Sequence, residues 1–420
     1  MLNEDVLGAS LAPSIEHRAH ALEAFVTASP PDVRAPYDNS KFTPARTTSR
    51  ITSLDFVRGV VMILMAIDHV RVYSGVPAGG PTPGVFFTRW VTHFCAPAFV
   101  FLAGTGAFFL GRKLGDPKAL AKFLVTRGLL LVALELTVLH IAWTFTFDFT
   151  HLLAGVIWML GWCMVIMAAL VQLPPSVVGI IGLALIIGQN LITPLAGMMP
   201  QSTQWFWQLL YLGGEVKVGP TSLSVLYVIV PWIGVMAAGY GFGTIMAHDE
   251  PDRRRLCLRI GLAATALFII IAGILVATRP APAGAPPALL RLLNQQKYPA
   301  SQLFLMMTLG PTIALIPLAA RARGWFSNVI TTFGRVPMFY YMLHIPLIHA
   351  VSLVAWLIRD GQVGAARFDS APYVSIPPAN RWSLALLYLV FAIVVALLYV
   401  PCRWYARRKA ERPAAWMRYI

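Results

Sequence analysis

Charge is scarce in this sequence. Only 12% of its 420 residues are Asp, Glu, Lys or Arg, about half the share of an ordinary soluble domain, which excludes a soluble globular fold. Cysteine is nearly absent: Cys95, Cys163, Cys257 and Cys402 stand singly in or beside apolar segments, with no CxxC spacing. That pattern excludes a disulfide framework and a zinc site, and no other metal-ligand spacing appears. There is no Gly-rich phosphate loop and no Ser-His-Asp order. No internal repeat is found, which removes the usual sign of an inverted-repeat transporter. The opening residues, "MLNEDVLGASLAPSIEHRAHALEAF", lack the basic start and continuous apolar core of a signal peptide, so the N-terminus is expected to stay in the cytosol.

Acidic residues are outnumbered, 18 against 33 Lys and Arg, for a formal net charge of +15. In a soluble protein this excess would suggest nucleic acid as a partner. Here the positive residues sit mainly in loops between apolar runs, and no patch interleaves basic and aromatic side chains, so no nucleic acid is expected.

Apolar residues are abundant, 57% of the chain, with a mean hydropathy of +0.68. A membrane span needs about 20 mostly apolar residues. Ten such runs start near Ser53, Val85, Ala119, Leu152, Ser176, Leu223, Leu256, Gln302, Val329 and Leu384. The expected fold is all-α, a polytopic membrane helical bundle of about ten transmembrane helices with both termini cytosolic. Residues 1–50, rich in Ala, Pro and Ser, form a mobile cytosolic tail in this scheme, 51–406 the membrane domain, and 407–420 a basic cytosolic tail. The topology puts Arg112, Lys113, Lys118, Lys122, Arg253, Arg254, Arg255, Arg321, Arg323, Arg403, Arg407, Arg408 and Lys409 inside. Outer loops are poorer, with scattered Lys217, Arg279, Arg291, Lys297, Arg359, Arg367 and Arg381. The Trp-rich "STQWFWQLLYLGG" is expected to be an interfacial or re-entrant segment.

Ionisable side chains inside a bilayer are costly and point to a polar pathway or a site. Of nine histidines, His17 and His20 fall in the tail and His248 in a cytosolic loop. The other six, His69, His93, His140, His151, His344 and His349, fall at or near the outer half of the membrane from five spans. Singly, each is explained by a hydrogen bond between packed helices. Together they suggest a polar chamber. In the first span the 11 positions from Arg58 to His69 return to nearly one helix face, about 16 Å apart. Asp55 shares that stripe and is three residues from Arg58, a spacing that also fits a plain surface ion pair. Asp68 points elsewhere and is placed to orient a histidine of a neighbouring span. Arg89 and His93, four apart, share a face. Glu135, between Arg127 and His140, needs a partner or a proton. Tyr340 and Tyr341 lie one turn before His344, between Pro337 and Pro346. Histidine suits proton transfer with little tuning, so histidine-centred chemistry is expected.

The stretches "RITSLDFVRGVVMILMAIDHVRVY", "HFCAPAFVFLAGTGAF", "VPWIGVMAAGYGFG", "KYPASQLFLMMTLGP" and "FGRVPMFYYMLHIPLIH" occur in the order found in a known family. The chain resembles the bacterial branch of the heparan-alpha-glucosaminide N-acetyltransferase catalytic-domain family, within the transmembrane acyltransferases. The first motif also resembles the arginine, ten residues, histidine pattern of related membrane acyltransferases that modify bacterial glycans, here Arg58 and His69. The resemblance implies transfer of an acetyl or other acyl group from cytosolic acyl-CoA to a saccharide hydroxyl or amine on the far side of the membrane. Arg58, with Asp55, would meet the donor's phosphates. His69, His93 and Asp68 would form the catalytic group, with His93 polarised by Arg89. Arg89, His140, Tyr340, Tyr341, His344 and His349 would face the acceptor, a glycan or lipid-linked sugar. One departure stands out. The first outer loop, "YSGVPAGGPTPG", lacks the histidine that the lysosomal member of the family is thought to use, so His69 or His93 must be the base.

A second class, a proton-coupled membrane transporter, would use the same histidines as a relay. A non-catalytic scaffold would tolerate loss of Arg58 and His69. The preference for Arg over Lys and the abundance of Ala are typical of high-GC bacteria, so a bacterial cytoplasmic (inner) membrane is expected. Monomer and homodimer are both compatible with the sequence.

Overall fold

Backbone groups inside a bilayer must be satisfied within the chain, and helices do this locally. The computed structural model describes residues 51–80, 82–281, 283–363 and 376–419. The tail expected over 1–50, with His17 and His20, and the outer-loop Arg367 lie outside the described residues. Eleven main helices follow among the described residues: α1 Thr52–Ser74, α2 Pro83–Leu114, α3 Pro117–Thr144, α4 Val156–Leu170, α5 Pro175–Gly197, α6 Val230–Met246, α7 Glu250–Thr278, α8 Gln302–Ala319, α9 Trp325–Arg335, α10 Pro337–Asp360 and α11 Leu384–Glu411. The chain is an all-α multi-pass membrane protein. Seven helices, α2, α3, α5, α7, α8, α10 and α11, are long and apolar enough to cross a membrane, while α4 and α6 are apolar but shorter. With the charged α1, these correspond to the ten expected runs.

Local chemistry sets the helix ends. Gly75 and Gly115 terminate α1 and α2 in the left-handed conformation, which costs glycine least. Asp116 caps α3 through the amides of Lys118 and Ala119, with Pro117 in the first turn. Ser301 and Ser383 cap α8 and α11 in the same way.

Three boundaries differ from the sequence expectation. Near Leu152 and Leu223 the chain forms strands, β1 His151–Ala154 and β3 Thr221–Val225, and α4 and α6 start several residues later. With β2 Gly214–Val218 they make a small sheet of order β1-β3-β2, β1 parallel to β3 and β2 antiparallel to it. Short apolar runs suit strand or helix alike, and pairing decides between them. The run expected to start near Val329 is broken at Val336. The piece before the break, α9, is a separate helix with Trp325 and Phe326 exposed, and Pro337 restarts the chain as α10.

Helix α1 is the hub, packed by α2, α8, α9, α10 and α11. Gly59 and Gly334 meet where α1 crosses α9: a Cβ on Gly59 would overlap the Ile330 carbonyl, and one on Gly334 the Asp55 carbonyl. Gly104 and Gly239 do the same for α2 against α6, where Thr105 also donates to the Gly239 carbonyl at 2.9 Å. Small residues at such crossings let backbones approach in the absence of a hydrophobic drive. Beyond α11, Met417 is buried, Trp416 lies 6.3 Å from Tyr405, and Tyr419 stacks on Phe123 of α3 at 5.3 Å.

Candidate active site

The far end of α1 carries two polar groups. In the first, Asp68 is clamped by two arginines: Arg71 donates from Nε to Oδ1 and Arg89 from Nη1 to Oδ2, each at 3.0 Å. Arg71 also donates to the Val76 carbonyl at 3.0 Å. Arg89 continues to Thr92 Oγ1 at 2.9 Å and to the Tyr298 hydroxyl at 3.4 Å, and Tyr298 donates to Tyr227 at 3.5 Å. The Lys297 ammonium sits over both rings, 5.7 Å from the Tyr227 centroid and 5.2 Å from that of Tyr298. Asp68 therefore orients arginines and not a histidine, because a buried carboxylate gains more from two guanidinium groups than from a neutral imidazole. Arg89 likewise makes no hydrogen bond to His93 among the described residues. His93 is buried on the 3-10 turn Val91–Phe94, edge-on to Phe304 at 5.4 Å, and its Nδ1 has no hydrogen-bond partner among the described residues.

The second group joins α1 to α10. His69 Nδ1 lies 2.6 Å from His344 Nε2. His344 is fully buried, with its Nδ1 2.7 Å from the Tyr341 carbonyl and 3.2 Å from that of Tyr340. A carbonyl only accepts, so Nδ1 of His344 carries the hydrogen, and in the neutral ring its Nε2 holds a lone pair. His69 must then donate from Nδ1, which leaves Nε2 of His69 as the basic nitrogen. The network thus assigns both tautomers. His69 is half-buried, edge-on to Trp143 at 4.9 Å and to Tyr341 at 6.2 Å.

Aromatic contacts extend this group. Tyr73 donates to the Trp143 carbonyl at 2.8 Å and stacks on His349 at 4.8 Å, and His349 stacks on Phe145 at 3.9 Å. Phe145 has φ of 53°, a left-handed conformation that ends α3. His140 donates to the Asp148 carbonyl at 2.6 Å, which ties down the following loop. The exposed Asp148 carboxyl is held below its ordinary range, chiefly by the backbone amide of Thr150 and then by its hydroxyl.

The six outer histidines therefore do not form one ring. His69 and His344 touch, His349 and His140 adjoin them through aromatic rings and the loop, His93 lies by the arginine clamp, and His151 is exposed on β1. Tyr340 and Tyr341 are buried and serve His344 through their carbonyls. Glu135 finds its partner in a helix terminus. Its carboxyl group accepts from the amides of Gly155 and Ile157 at the start of α4, while its buried Oε2 has no hydrogen-bond partner among the described residues.

At the other end of α1, Arg58 donates to Asp55 at 3.4 Å and to the Leu102 carbonyl at 2.9 Å, and it is 22% exposed against 2% for Asp55. Arg127 of α3 lies near enough for the two guanidinium charges to repel, and its buried Nε has no hydrogen-bond partner among the described residues.

Lys297, Tyr298, Tyr227 and Trp143 are the residues that sequence reasoning missed. Lys297 counted as a scattered outer-loop cation and, with Tyr298, as the start of the stretch "KYPASQLFLMMTLGP" that carries the resemblance, without a role of its own.

No curated protein matches the chain. Residues 50–273 match the family model described as heparan-alpha-glucosaminide N-acetyltransferase, catalytic. The match takes in Asp55, Arg58, Asp68, His69, Arg89, His93 and His140, and ends before Lys297, Tyr340, Tyr341, His344 and His349. Covering just over half of the length and the whole of the hub helix, it makes this chain a member of the heparan-alpha-glucosaminide N-acetyltransferase catalytic-domain family.

Proposed function

We propose that the chain transfers an acetyl or other acyl group from cytosolic acyl-CoA to a saccharide hydroxyl or amine on the far side of a bacterial inner membrane, with ten spans and both termini cytosolic. Family membership supports the transferase class, whose members use acetyl-CoA as donor. The observation that carries the chemistry is the His69–His344 contact, which leaves a lone pair on Nε2 of a half-buried histidine.

The proposed step is direct. His69 Nε2 takes the proton of the acceptor hydroxyl or amine as that atom attacks the thioester carbonyl. The C–S bond then breaks, and the CoA sulfur receives the proton back from His69. While His69 is cationic, its Nδ1–H stays hydrogen-bonded to the lone pair of His344 Nε2, so the ring cannot turn away. Arg58, about 16 Å down the same helix, holds the donor's phosphates, a span that the pantetheine arm can bridge. Asp55 fixes Arg58 in place.

The test uses purified full-length protein in lipid nanodiscs with radiolabelled acetyl-CoA. Arg58→Ala is expected to lose donor binding. His69→Ala is expected to bind donor but lose transfer by about 10²–10⁴-fold. A folded wild type with no affinity for acetyl-CoA or longer acyl-CoAs overturns the reading, and proton flux through the histidines is then the measurement to make.

A further inference from the structure

Lys297 is 7% exposed, yet among the described residues it has no carboxylate within ion-pair distance and no hydrogen-bond acceptor. It faces the Tyr298 ring at 5.2 Å, and the Tyr298 hydroxyl accepts from Arg89, which holds Asp68, so Lys297 belongs to the same chamber. The one carboxylate there, Asp68, is already committed to Arg71 and Arg89. Three cations against one anion leave two positive charges uncompensated among side chains no more than 18% exposed, and poorly hydrated charge of that kind calls for a counter-ion. The faces of Tyr227 and Tyr298 position the ammonium without neutralising it. The donors left over are the three ammonium hydrogens of Lys297 and the hydroxyl hydrogen of Tyr227, which accepts from Tyr298.

We infer that Lys297 and Tyr227 form an anion subsite for a phosphate group carried by the acceptor saccharide. This rests on the acyl-transfer reading above and adds the substrate class. The charge balance selects phosphate over carboxylate: a phosphate monoester carries about −1.5 to −2 at neutral pH, which matches the surplus. A carboxylate carries one charge, and the two guanidinium groups suited to carboxylates are engaged by Asp68, the Val76 carbonyl, Thr92 and Tyr298. Lysine, a compact point charge with three rotatable donors, suits a tetrahedral phosphate. Because Lys297 and Asp68 share the chamber with His69, a sugar held by its phosphate presents a hydroxyl or amine to the base.

The test is binding of inorganic phosphate, glucosamine, glucosamine 1-phosphate and glucuronate to full-length protein in nanodiscs at constant ionic strength, for wild type, Lys297→Met, Lys297→Arg and Tyr227→Phe. Wild type is expected to bind phosphate and glucosamine 1-phosphate saturably, with glucosamine and glucuronate at least about tenfold weaker. Lys297→Met is expected to lose the phosphate preference, Lys297→Arg to recover most of it, and Tyr227→Phe to weaken it severalfold. The dependence on Lys297 separates this site from phosphate held at Arg58. Displacement of inorganic phosphate by soluble glucosamine 1-phosphate marks a water-borne acceptor, and displacement only by a polyprenyl diphosphate-linked glucosamine in vesicles, which also carries about two charges, marks a lipid-linked one. Equal affinity for glucuronate, or unchanged phosphate binding in folded Lys297→Met and Tyr227→Phe, overturns the inference. Acetyl-CoA binding is read separately on wild type. Donor binding without phosphate binding sinks only the subsite, and the reverse sinks only the donor assignment.

Discussion

At the scale of single residues, His344 is the side chain whose role was least legible. Its position one turn beyond two tyrosines suggests an acceptor-facing group, but it is fully buried, with both nitrogens engaged by His69 and backbone carbonyls. The partner across 275 positions of sequence is a tertiary fact. His344→Ala is expected to lower kcat by about 10²–10⁴-fold, as when the group that orients a catalytic histidine is lost. His344→Gln, whose carbonyl oxygen falls near the lost Nε2, is expected to restore part of kcat with KM for the donor unchanged. Steady-state kinetics on the two variants decide this. Asp68 makes the complementary point. Its place beside a long apolar run marks it as important, yet the partners that claim it are Arg71 and Arg89. Asp68→Ala strands two buried cations and is expected to cost roughly 3–5 kcal/mol of stability. Thermal unfolding in nanodiscs checks this, and adding Arg71→Gln is expected to recover part of the loss.

At the scale of elements, hydropathy located the helices well because a bilayer gives the backbone few alternatives. It failed where apolar runs were short or interrupted, at β1, β3 and the break between α9 and α10. The glycines of the "VRG" and "FGR" motifs gave no hint of each other in sequence, yet they form one crossing that sets the height of Arg58 on the bundle. Gly334→Ala forces a methyl into the Asp55 carbonyl and is expected to destabilise by about 1–3 kcal/mol, as overpacking does. Because α1 must shift, donor affinity is expected to fall as well, and a binding isotherm beside the unfolding curve measures both. Glu135 works at this scale too, since it closes the start of α4 and not the chemical site.

At the scale of the whole molecule, the chamber is assembled from both halves of the chain. The family match ends at residue 273, whereas Lys297 and His344 come from the remainder. The ten-span topology is open to a direct test, because all four cysteines are buried and free. Single cysteines at Glu215 and Arg254 are expected to react with an impermeant maleimide from outside only and from inside only, respectively; labelling of both from one side overturns the topology. The hub helix has one more consequence. In the proposed mechanism the anchor for the donor's phosphates, Arg58, and the basic histidine, His69, stand on one helix, so α1 would act as a ruler that measures the donor. Acetyl phosphate and acetyl adenylate carry the acyl carbon directly on a phosphate and cannot register with both marks. They are expected to fail as donors despite being more reactive than a thioester, and acetyl-pantetheine, which has the length but no anchor, is expected to work with a raised KM.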